Sequence, residues 1–162
     1  MSFCRENTVV NFSRDVLERL PADHTALLEL ARDGSRRSWT FAEVGARSAS
    51  LAGSLRARGV GRGDVVMTLI GNRPEWVLAM CACFHLGAVV LPCTEQLRAK
   101  DLRARIAVAA PSLILADELN QAQLESALAP CRQGAMNTLR ADLLQPEAAV
   151  HHTSSPARAC SQ

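Results

Sequence analysis

The chain has 162 residues, 48% of them apolar and 21% charged. That is room for one domain or part of a larger one, with a real core. It excludes a disordered tail, a collagen-like chain and a disulfide mini-protein. The 18 basic and 16 acidic side chains leave a formal charge of +2, too small an excess to imply a nucleic-acid or membrane-surface partner.

The basic set holds a single lysine, Lys100; the rest are arginines. The six cysteines are Cys4, Cys81, Cys83, Cys93, Cys131 and Cys160. None forms a C-x-x-C, and no Cys/His spacing fits a zinc site. They read as free thiols in a reducing cytoplasm. Met1 to Asn11 lacks the apolar core of a signal peptide. The most apolar stretch, Trp76 to Pro92, is broken by His85 and Gly87 and is shorter than the ~20 residues of a membrane span. A soluble, cytoplasmic protein is expected.

Asn11 to Leu20 reads as a short amphipathic helix, with Phe12, Val16, Leu17 and Leu20 at helical spacing, ended by Pro21. Thr25–Leu30 and Arg36–Thr40 flank Asp33-Gly34-Ser35, which predicts a β-hairpin. Thr40-Phe41-Ala42-Glu43 is a capping-box pattern. The helix it opens should run to about Arg58, with Gly59 as the left-handed stop.

Asp64 to Ile70 is nearly all apolar, as in a strand covered on both faces. Pro74 then starts a helix that Gly87 stops. Ala88–Leu91 reads as a short strand closed by Pro92, Ala99–Ala109 as a helix and Ser112–Ala116 as a strand. Asp117–Leu128 reads as a helix, and Met136–Arg140 as a weaker strand candidate. Alternation of this kind predicts an α/β fold, with a mainly parallel sheet, flanking helices and an N-terminal hairpin. Pro146 to Gln162 shows little periodicity and is expected to be disordered.

Several residues invite a functional reading, and each has a plainer one. Gly59, Gly61 and Gly63 follow a helix and precede a strand, the wrong order for a dinucleotide cradle. His151-His152 have only Cys160 nearby as a further ligand, so no metal site is expected. His85 reads as a core-edge histidine bonded to backbone. Glu75 suits the positive end of its helix, and Trp76 reads as core. No Ser/His/Asp or Cys/His arrangement emerges, so no catalytic residue can be assigned.

Read together, several segments resemble the start of an AMP-forming acyl-CoA synthetase of the adenylate-forming ligase superfamily, medium-chain fatty acid and benzoate-type branch. Asn11-Phe12-Ser13-Arg14-Asp15-Val16-Leu17 is similar to the family's N-terminal helix. Ser38-Trp39-Thr40-Phe41-Ala42-Glu43-Val44 resembles its first core motif. Gly61-Arg62-Gly63-Asp64-Val65-Val66 and Asn72-Arg73-Pro74-Glu75-Trp76 resemble its next turn, strand and helix start. Leu86-Gly87-Ala88-Val89-Val90-Leu91-Pro92 resembles its second core motif. Thr94-Glu95-Gln96-Leu97 with Lys100-Asp101-Leu102 looks like the medium-chain branch.

The resemblance implies a partial N-terminal AMP-binding domain over 9–145 and a tail over 146–162. It implies ATP, Mg²⁺ and coenzyme A as cofactors of the complete family enzyme, and none for this chain alone. In that family a carboxylate attacks the α-phosphate of ATP, and coenzyme A then displaces AMP. The phosphate-binding motif of the family is Y-T-S-G-T-T-G-x-P-K. Thr153 and Ser154 match its first residues, but Ser155-Pro156-Ala157-Arg158-Ala159-Cys160 follows, with no glycine or lysine.

With GC-rich codons assumed for Thr-Ser-Gly-Thr-Thr-Gly-Leu, reading one base later gives Pro-Pro-Ala-Arg-Arg-Ala-Cys, close to the string Pro156-Ala157-Arg158-Ala159-Cys160, so a frameshift near Ser154 is expected. The chain is therefore expected to be inactive alone. Its partners could be the rest of a ligase, translated separately, or further copies joined at open sheet edges. A stand-alone interaction module without catalysis is the alternative.

Overall fold

The computed structural model describes residues 10–129 and 138–140. A two-stranded antiparallel hairpin, β1 (Thr25–Leu30) and β2 (Arg36–Thr40), precedes α1 (Phe41–Ala57). Then come β3 (Val65–Leu69), α2 (Pro74–Leu86), β4 (Val89–Cys93), α3 (Ala99–Ala109), β5 (Leu113–Ala116), α4 (Gln121–Leu128) and β6 (Thr138–Arg140). The last four strands form one sheet in the order β4-β3-β5-β6. Every pair in it is parallel. The α/β class, the parallel sheet and the hairpin are as the sequence predicts.

β3 and β5 are central and buried on both faces, which explains their unbroken apolar runs. Val66, Ile70, Leu113 and Leu115 pack with α1, α2 and Trp39. Met67, Leu69, Ile114 and Ala116 pack with Leu102 and Ile106 of α3 and Leu124 of α4. The alternation is the two-residue period of a strand, here feeding two cores rather than one.

The predicted stops hold. Thr40 and Glu43 close both arms of the capping box, at 2.8 Å and 3.2 Å. Gly59 and Gly87 follow their helices at φ +88° and +70°. Pro74 opens α2. Pro92, expected to end its strand, instead lies inside β4, opposite Thr68. β4 is an edge strand among the described residues, and there a missing N–H costs no ladder bond.

Two further expectations need correction. Asp117 to Asn120 is a turn, and α4 starts only at Gln121. The Asp117 carboxylate accepts from the backbone N–H of Asn120 at 3.1 Å and from its side chain at 2.7 Å. These local bonds compete with helix and hold the turn.

The amphipathic helix over 11–20 is only a wide five-residue turn, Phe12–Val16, followed by a tight one, Leu17–Arg19. It buries Ser13 and Leu17, while Phe12, Val16 and Leu20 are exposed. The cause is polar. Ser13 Oγ donates to the Cys81 carbonyl at 2.8 Å, and Asn11 Nδ2 donates to the Phe84 carbonyl at 2.6 Å. Both acceptors are in the second half of α2. The Phe84 carbonyl lies in the last turn of the helix, where it otherwise accepts only from the Gly87 N–H at 3.1 Å. Anchoring there turns the Ser13–Leu17 face inward and the apolar stripe outward.

Candidate functional site: the C-terminal edge of the parallel sheet

In an open α/β sheet, ligands sit beyond the carboxyl ends of the strands, where the strand order reverses. Here β3 leads through α2 to β4 on one side. The chain then crosses back to β5 on the other side of β3. The crevice therefore lies between Ile70-Gly71 after β3 and Asp117 after β5.

Polar side chains already join the two lips of this crevice. The buried Asp117 carboxylate accepts from the Gly71 N–H at 2.8 Å. Arg73 donates to both oxygens of Glu118, at 2.9 and 3.0 Å, and to the buried Glu75 at 3.0 Å. Burial works against the Arg73 charge, but the bonds to Glu118 and the nearness of Glu75 raise its pKa above the usual arginine value. Glu75, read from the sequence as a helix-dipole residue, is thus also the buried half of a partly buried ion pair.

Beside the crevice, at the ends of β3 and β4, lies a cleft of about 380 Å³. Trp76 lines it half-buried while also packing against the core, so its core reading holds in part. Asn72, Cys93 and Glu95 line it too. A Cβ at Gly71 would stand 2.6 Å from a Glu95 oxygen, so glycine lets that carboxylate approach. Burial pushes the Cys93 thiol up, with nearby Arg105 opposing, which keeps the sulfur protonated and poorly nucleophilic.

The fit to ATP and Mg²⁺ is poor within the described residues. The Gly71 N–H already has a carboxylate partner, and Lys100 is exposed at the start of α3. No group of three or more His, Cys, Asp or Glu side chains could hold a metal among them. The sheet edge has the right place for a ligand, and the described residues there offer no free donors for phosphate.

Thr153 and Ser154, the only residues that the resemblance links to ATP, lie outside the described residues, as does the expected tail over 146–162. His151 and His152 lie outside as well. His85 departs from its reading: its Nε2 has no hydrogen-bond partner among the described residues, and its Nδ1 stands 3.7 Å from Glu18. Sequence reasoning missed Asp117. A lone Asp between a strand and a helical pattern looks like part of the helix, and its partner Gly71 is far away in sequence.

Residues 13–161 match the family model described as AMP-binding enzyme. Acyl-coenzyme A synthetase ACSM3, a mitochondrial protein of Mus musculus, is 32% identical over 130 residues. That match covers 75% of this chain and 22% of the relative. Acetyl-coenzyme A synthetase of Thiobacillus denitrificans is 40% identical over 113 residues, 67% of this chain and 17% of the relative. Among solved structures, O-succinylbenzoate coenzyme A synthetase of Bacillus subtilis, in complex with AMP, superposes with a TM-score of 0.67. It is 25% identical, over 83% of this chain and 32% of that one.

The parallel sheet with helices on both faces is thus that of the adenylate-forming ligases. The chain belongs to the AMP-binding enzyme family, within which it is similar to acyl-CoA synthetases. It spans about a fifth of the length of the curated relatives it matches. No described helix is long and apolar enough to cross a membrane.

Proposed function

We propose that the chain supplies the N-terminal strand and helix layers of an AMP-forming acid–CoA ligase and has no activity alone. The complete reaction joins a carboxylic acid to coenzyme A, converting ATP to AMP and pyrophosphate. Fatty acids are the substrate class suggested by the relatives. One observation carries the reading. The family match runs over residues 13–161, yet the described strand ends offer no phosphate cradle, activated nucleophile or metal cluster. Without preorganised donors at the phosphates, little of the usual rate enhancement is available.

Translating the coding DNA in all three frames, from the Arg140 codon to well past the Gln162 codon, tests this reading. A second frame that continues with Gly-Thr-Thr-Gly and a lysine supports it. Absence of such a frame favours the module reading below.

The partner in this reading is the rest of a ligase, with self-association as its substitute. Leu28 and Leu30 on β1 and Val108 on α3 are exposed at 49%, 65% and 90%, and apolar faces of this kind favour association. These surfaces also support the second reading, an interaction module that works without catalysis. Co-purification with a separately translated ligase segment would support that module. A monomer with cooperative unfolding at high concentration counts against both associations. A cytoplasmic location belongs to the same proposal, supported by the free thiols of Cys81, Cys83 and Cys93. Cell fractionation tests it.

A further inference from the structure

One cleft stands apart from the strand C-terminal edge. It lies at the other end of β4, between the N-terminal turn and the end of α2, and has a volume of about 400 Å³. That is within the range of small-molecule sites. Phe12 and Phe84 give it an aromatic wall, edge to face with ring centroids 6.1 Å apart. Arg14, Arg62 and His85 also line it.

Its charge is distinctive. Among the described residues, no carboxylate lines it. The cleft at Trp76 has Glu95, the groove along α3 has Asp101, and the groove under the hairpin has Glu29. Neither Arg14 nor Arg62 has an ion pair or a side-chain hydrogen bond among the described residues. The Arg62 stem is seated against Gly87, where a Cβ would stand 3.3 Å from its Cγ.

A plainer role for these cations would be to offset the negative end of α2. Three of the carbonyls there are already bonded. Ser13 takes that of Cys81, Ala88 N–H takes that of Cys83, and Asn11 and Gly87 N–H share that of Phe84. Among the described residues, the side chains of Arg14 and Arg62 thus line the cleft with no acceptor of their own.

We propose that this cleft binds a small organic anion, a phosphate or carboxylate on an aromatic or apolar body, with Arg14 and Arg62 as its charge partners. Guanidinium forks suit both oxyanions, and the phenylalanines receive the body. The site is separate from the crevice between β3 and β5 and goes beyond the ligase reading.

The test is saturation-transfer NMR on the full chain with phenyl phosphate and with benzoate, and with neutral benzyl alcohol as control. The method reads the ligand, so self-association of the chain does not hide binding. Both anions should bind, and the alcohol should not. Arg14→Gln and Arg62→Gln should each weaken binding at least about fivefold, and the double variant should abolish it. Both side chains are exposed, so the fold should survive, as circular dichroism would show. The ratio of the two affinities tells which oxyanion the site prefers. Equal binding of benzyl alcohol, binding unchanged in the double variant, or no binding of either anion at about 10 mM (near the weakest useful affinity) would overturn the proposal.

Discussion

The carboxylate of Asp117 and the backbone N–H of Gly71 meet at 2.8 Å across the crevice between β5 and β3. The same side chain holds the Asn120 turn. One buried group thus fixes both lips of the place where an α/β sheet usually takes its ligand. Removing it strands a buried N–H and frees the turn. Asp117→Ala should destabilise the chain by about 3 kcal/mol, since each buried donor left unpaired costs roughly 1–3 kcal/mol. Asp117→Asn keeps an acceptor oxygen and should lose less. Urea unfolding measures both, and an alanine variant as stable as the parent would remove Asp117 from this role.

Thr40→Ala should cost about 1 kcal/mol, the usual loss for a helix cap, seen as a lower urea midpoint. Glu43 has a depressed pKa, mainly because it accepts the Thr40 N–H. Its support for the cap is present above the ordinary Glu value of 4.5 and should fade as pH falls through its lower native value. An NMR titration in which Glu43 titrates at or above the ordinary value would contradict the capping box.

Cys81, Cys83 and Cys93 are buried. Desolvation raises all three thiols, and that of Cys83 is pushed up to about 12 from 9.0. At pH 8 these three should resist iodoacetamide in the native chain and react in denaturant, as peptide mass mapping would show. The thiol contribution to stability is full below pH 9.0, where neither state is ionised, and is lost as pH rises from 9.0 towards 12. Unfolding midpoints that stay level across that alkaline range would contradict the burial.

Ser13→Ala should loosen the N-terminal turn from α2. Its hydroxyl bond to Cys81 is buried, and such a bond is worth about 1 kcal/mol net. Hydrogen exchange should speed up over residues 11–19 and hold steady in β3 and β5. Uniform exchange in parent and variant would show that the anchor lies elsewhere.

What could be read from the sequence was what depends on near neighbours. Thr40 and Glu43, Pro74, Gly59 and Gly87 punctuate the chain by their own geometry. The apolar runs of β3 and β5 announce a doubly covered sheet. The N-terminal turn defeated periodicity because two hydrogen bonds from Asn11 and Ser13, to α2 carbonyls about 70 residues away, decide which face goes in. Asp117 was hidden for the same reason, since its role exists only once β3 and β5 are adjacent. Thr153 and Ser154 could be singled out only by resemblance, because no local pattern gives two hydroxyls a phosphate.

The proposed reading is that this chain carries the family's sheet and has no activity alone. Acid-dependent ATP–pyrophosphate exchange on the purified 162-residue chain tests it most directly, with acetate, benzoate and a medium-chain fatty acid as substrates and Mg²⁺ present. The account expects exchange no faster than a protein-free blank with every acid. Exchange above the blank with any of them would show that the chain activates carboxylates on its own, and would contradict the account.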